Sequence, residues 1–140
     1  MLRKLTTALA IALALEFSLT LPALAGKAKW VSIWNASKGV SSLSVDQNSI
    51  KKNERYRYFW AFSRLSKPEY KSTHFTGKGY YLKSYNSVDC RAGILRRRDA
   101  IWMNNFYEVV YRHSPGDVGE PTTVKSNPRY AKVIKFVCSK

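Results

Sequence analysis

Two cysteines, two histidines and nine acidic residues are the pool from which a catalytic or metal site would have to be drawn. A nucleophilic or acid–base enzyme needs a nucleophile, a base and an orienting group within hydrogen-bond reach. No Gly-x-Ser-x-Gly, His-Glu-x-x-His, phosphate loop or paired-carboxylate motif occurs. His113 lies near Glu108 and Asp117, so a metal-dependent nuclease on a basic surface is conceivable there. A single His entering a Pro/Gly-rich turn reads more simply as a solvated side chain, and His74 is the only other histidine. No catalytic residue, metal ligand or cofactor site is assigned, and the expected role is binding, not catalysis.

The basic residues carry more information. Lys+Arg number 24 against 9 Asp+Glu, a formal net charge of +15. They gather in two groups: Lys51, Lys52, Arg55 and Arg57, then Arg91, Arg96, Arg97 and Arg98, with aromatic residues between them. Such a chain attracts acidic surfaces: anionic glycans, lipid headgroups or acidic host and matrix proteins. If the triplet lies in a strand, Arg96 and Arg98 share one face and Arg97 takes the other. Nucleic acid is disfavoured, because base stacking needs exposed aromatics beside phosphate-binding cations. The competing explanation is an envelope-structural protein whose charges only keep an aromatic-rich sheet soluble and its edges blocked. An edge left open would allow two copies to pair into a homodimer.

Compartment follows from the N-terminus. Met1-Leu2-Arg3-Lys4 is a short basic start, Leu5 to Leu21 is mostly Ala and Leu, and Pro22-Ala23-Leu24-Ala25 offers a small-x-small cleavage site. Residues 1–25 are therefore expected to be a cleaved signal peptide, and 26–140 a single exported domain, periplasmic or secreted to the cell surface. Glu16 would cost about 2 to 3 kcal/mol inside a bilayer and argues against an uncleaved anchor. No further apolar run of spanning length follows. No Cys stands after the small residues, so a lipid anchor is not expected. The domain keeps 22 basic and 8 acidic residues once Arg3, Lys4 and Glu16 are set aside, a net charge of +14. In an oxidising compartment Cys90 and Cys138, the only two cysteines, are expected to form a disulfide. Their spacing is unlike that of a redox or zinc pair.

These groups need a frame. Trp30 to Trp34 and Ser41 to Asp46 read as strands. Arg55 to Arg64 gives the clearest alternation, with Tyr56, Tyr58, Trp60 and Phe62 on one face. That aromatic stripe is expected to be core. Lys67 to Gly79 reads as the longest loop. Tyr80 to Asp89 and Arg91 to Trp102 flank Cys90 as strands, helix remaining open for the second. Phe106 to Arg112 alternates again, and His113 to Pro121 must turn. From Asn127 the period becomes helical: Pro128 suits the first helical position, Asn127 the cap, and Tyr130, Val133, Ile134 and Val137 form an apolar stripe. The expectation is an α+β fold, a small antiparallel sheet of about five to six strands with a C-terminal α-helix tied to it by one disulfide.

The layout resembles the surface-adhesin protein E family of bacterial exported proteins, from about Ser41 to Cys138. The likeness rests on Ser44-Val45-Asp46-Gln47-Asn48-Ser49-Ile50, the aromatic strand, and Tyr81-Leu82-Lys83-Ser84-Tyr85-Asn86-Ser87-Val88-Asp89-Cys90. A basic stretch, the Tyr111 to Gly116 segment and a terminal helix ending Phe136-Val137-Cys138 complete it. The resemblance implies a helix fastened to a small sheet and a binding role at a surface, as for the founding adhesin, which contacts host and matrix proteins. Two features depart from the family pattern: the missing lipid-anchor Cys, and Arg112 where the family often has Asp.

Overall fold

The computed structural model describes residues 26–37, 39–70, 78–116, 118–122, 124 and 127–140. The expected signal peptide, His74 and Asp117 lie outside the described residues. The elements run β1 (Trp30–Trp34), β2 (Leu43–Asp46), a 3₁₀ turn (Gln47–Ser49), β3 (Lys51–Asn53), β4 (Tyr56–Tyr70), β5 (Lys78–Asp89), β6 (Ile94–Met103), β7 (Val109–His113), β8 (Glu120–Thr122) and α1 (Tyr130–Cys138). The strands form one antiparallel sheet in the order β1-β2-β4-β5-β6-β7, with β3 added to β4 and β8 to β6.

The sheet therefore has eight strands, not five or six. The two additional ones are three residues each and carry no hydrophobic pattern: β3 is Lys-Lys-Asn, fully exposed, and β8 is Glu-Pro-Thr inside a segment rich in turn formers. Backbone pairing recruits them, and side-chain periodicity cannot report that. Pro121 is tolerated because β8 is an edge piece. The helical alternative for residues 91–102 is excluded, since β6 pairs with β5 from Ile94 to Met103. The expected loop from Lys67 to Gly79 is shorter at both ends, because β4 runs to Tyr70 and β5 begins at Lys78.

Phe106 and Tyr107, expected in a strand, stand in the β6–β7 turn. Asn104 Oδ1 accepts from the backbone N–H groups of Phe106 (2.8 Å) and Glu108 (3.0 Å), and Tyr107 takes a φ of 64°. The Asn side chain replaces ladder bonds with turn bonds, which overrides the alternation that follows it.

One face of the sheet is covered by α1. Val133 and Val137 of the helix pack with Leu43, Val45, Phe59, Ala61, Val88 and Leu95. The aromatic stripe of β4 is not in this core: Phe59 and Ala61 face the helix, so Tyr56, Tyr58, Trp60 and Phe62 face away from it, half-buried. The reason lies in the small residues. Ala61, Ser84 and Ala100 pair in a line across β4, β5 and β6 and leave room above the sheet on the helix side. A row of rings there would hold the helix off. The alternation of β4 was legible, but which face was covered depended on a helix 70 residues downstream.

The helix begins at Tyr130 and not at Pro128, and its cap position is held by Arg129 without a side-chain cap bond, not by Asn127, whose Oδ1 accepts from Arg129 N–H at 3.1 Å in the preceding turn. The end of the helix is fixed by the disulfide between Cys90 and Cys138, whose Cα atoms are 5.7 Å apart. Beside it the buried Arg57 donates from Nε to the backbone oxygen of Lys140 (3.2 Å) and from Nη1 to the carbonyls of Glu54 and Tyr56 (both 3.1 Å).

Candidate functional site

The uncovered face of the sheet carries a connected field of rings. Trp30 of β1 meets Phe62 of β4 at 5.9 Å between centroids, Phe62 stacks on Tyr81 of β5 at 5.6 Å, and Tyr81 stacks on Tyr107 of the β6–β7 turn at 4.5 Å. A second run joins Tyr56 to Tyr58 (6.5 Å), Tyr58 to Tyr85 (6.4 Å) and Tyr85 to Trp60 (5.1 Å). These separations lie in the range at which aromatic pairs attract. Ring contact with ring accounts for the partial burial of side chains over which no helix packs among the described residues.

Cations sit on the rings. Lys83 Nζ lies 4.9 Å from the Trp60 ring centre, the Arg98 guanidinium 5.4 Å from that of Tyr58, and the Arg55 guanidinium 5.2 Å from that of Tyr56. All three are within cation–π reach. Arg98 reaches Tyr58 because the β5–β6 register shifts beside Tyr85 and Asn86, which adds one residue to β6 at that point.

Three carboxylates described on this face, Asp46, Asp89 and Asp99, are already engaged. Asp89 pairs with Arg55 (2.8 Å) and Asp99 with Arg112 (2.6 Å). Asp46 accepts from the backbone N–H groups of Lys29 (2.8 Å) and Asn48 (3.1 Å). The hydrogen bond from Arg112 holds the Asp99 carboxyl below its ordinary range, with the Ser114 hydroxyl helping and burial opposing. Arg112 thus neutralises the Asp99 carboxylate on this face.

The basic residues singled out in the sequence divide accordingly. Lys51 pairs with Tyr58 in the β3–β4 ladder and shares its face, whereas Lys52 pairs with Arg57 on the other. Arg55 and Arg98 border the rings. Arg96 pairs with Ser87, itself opposite Tyr58, and its Nη1 donates to the Gly119 carbonyl at 3.4 Å. Arg91 is exposed in the turn after Cys90. Arg57 is buried, its Nε and Nη1 donating to backbone oxygens, and Arg97 lines a cavity on the helix side. Lys52, Arg57 and Arg97 therefore lie on the side of the sheet away from the rings. Lys83, Tyr81 and Tyr85 belong to that face and were not singled out. The register between β4 and β5 brings them there, and a single strand's pattern does not reveal a register.

Among the described residues no group of three or more His, Cys, Asp or Glu is placed to hold a metal ion. His113 Nε2 lies 3.2 Å from Glu120 Oε1, across from β8. No helix among them is long and apolar enough to cross a membrane.

A family model described as Surface-adhesin protein E matches residues 30–139, a span that contains the whole sheet and the helix. This chain belongs to the surface-adhesin protein E family. It is accordingly an adhesin-type surface protein. The crystal structure of protein E from non-typeable Haemophilus influenzae aligns with 79% of this chain and 75% of its own, with a TM-score of 0.53 at 13% identity. Another Haemophilus influenzae protein E structure gives 0.52 at 13% identity, covering 79% of this chain and 83% of the other. At such identity the likeness is one of fold. No curated protein sequence matches.

Proposed function

We propose that this is an exported, non-catalytic adhesin domain whose uncovered sheet face binds acidic polysaccharide. The observation that carries the reading is the pairing of rings with cations on that face. Lys83 and Arg98 each lie over a ring while Asp46, Asp89 and Asp99 are all engaged elsewhere. A flat ring accepts the C–H face of a sugar, and the adjacent ammonium or guanidinium accepts its carboxylate or sulfate. An envelope-structural role would need the charge only as a coating and gives no reason for rings and cations to be interleaved.

Export rests on residues 1–25 as a leader, and the disulfide fits an oxidising compartment. The test is retention of the oxidised domain, residues 26–140, on immobilised heparin. The domain should elute well above physiological ionic strength, about 0.15 M, and should pass uncharged dextran unretained. Elution from heparin no later than a neutral protein of similar size would overturn the reading.

A further inference from the structure

The opposite face of the sheet holds a different feature. Beside the helix start, where α1 no longer covers the sheet, lies a cavity of about 320 Å³. That is near the lower end of the range for small-molecule sites. Its apolar wall includes Phe59, Leu82, Leu95 and Tyr130, and its polar floor includes Ser84, Asn86 and Arg97. Ser84 and Asn86 are both buried.

Two of the polar groups in the floor are tied to each other. Asn86 Nδ2 donates to the Ser84 carbonyl and to Ser84 Oγ, both at 3.0 Å. The Ser84 hydroxyl, having accepted that bond, keeps its own proton to donate. Arg97 is half-buried, and among the described residues no carboxylate lies within ion-pair distance of it. Glu120, its direct partner in the β6–β8 ladder, pairs with His113 instead. A guanidinium at a cavity wall with no carboxylate on it is a binding group in search of an anion.

We propose that this cavity binds a small organic monocarboxylate with a compact apolar body. The carboxylate would take the Arg97 fork and the Ser84 hydroxyl, and the body would lie against Leu82, Leu95 and Tyr130. Arg129 also lines the cavity but is exposed to solvent, so Arg97 is the one half-buried guanidinium and balances one buried negative charge, which favours a carboxylate over a phosphate monoester. This site is independent of the glycan-binding face, since it lies on the other side of the sheet and uses the one member of the arginine triplet that points there.

The test uses the oxidised domain with phenylacetate and its uncharged isostere phenylacetamide as probes, followed by amide chemical-shift mapping. Phenylacetate should move resonances of residues 82–86, 95–97 and 130 saturably, and phenylacetamide should bind about tenfold more weakly or worse. Arg97→Gln should abolish the preference for the charged probe, while Arg96→Gln and Arg98→Gln should keep it. Equal binding of the two probes, no saturable shift, or shifts confined to the ring-bearing face would overturn the proposal. The comparison of probes on the unmodified chain stands even if Arg97→Gln fails to fold.

Discussion

Arg57 Nε donates to the backbone oxygen of Lys140 at 3.2 Å, across 83 residues of sequence. This bond, with the two from Nη1 to the Glu54 and Tyr56 carbonyls, makes Arg57 a clamp between the β3–β4 turn and the end of the helix. Arg57→Met would retain much of the apolar stem and strand three backbone oxygens. A loss of about 1 to 3 kcal/mol in urea unfolding is expected, with no loss of heparin retention in the folded protein. Weakened retention at unchanged stability would show that Arg57 serves the surface after all.

The disulfide should act on the same region from the other side. Cys90 and Cys138 close a loop of 48 residues, for which the chain-entropy estimate is about 4 kcal/mol. Cys138→Ser should lower the melting temperature and raise hydrogen exchange in α1 before the sheet. The core contacts of Val133 and Val137 alone would suffice if melting were unchanged.

Acid should loosen the edge strand. Asp99 titrates below its ordinary value, chiefly because Arg112 hydrogen-bonds its carboxylate. A depressed folded-state value stabilises the fold above the unfolded value, about 3.9, and that contribution disappears as pH falls through the lower folded value. Stability of the unmodified domain should therefore fall below about pH 4, and Asp99→Asn should flatten that part of the curve. Superimposable acid limbs would mean that the pair contributes nothing to holding β7.

Much of the architecture is legible in the residues. β2 and the aromatic β4 follow from alternation, β1 from a short apolar run and the terminal helix from a change to helical spacing, and the two cysteines form the expected disulfide. The inversion of the aromatic stripe has a definite cause. A period of two states that two faces differ, but Tyr56, Tyr58, Trp60 and Phe62 could be assigned to a face only by knowing where α1 docks. The small residues Ala61, Ser84 and Ala100, scattered over three strands, were the available signal. Lys83 was missed for a related reason: nothing in its own strand marks it, and only the register with β4 sets it over Trp60.

The binding face is tested most directly by removing equal charge from the two sides of the sheet. Lys83→Ala/Arg98→Ala strips two cations from the rings, and Lys132→Ala/Lys135→Ala strips two exposed cations from the helix. Calorimetric titration of each folded variant with a heparin hexasaccharide compares them at the same net charge. The ring-side variant should bind about tenfold more weakly than the unmodified domain, and the helix-side variant should differ little from it. Equal losses in the two would reduce the attraction to net charge alone and contradict a dedicated glycan-binding face.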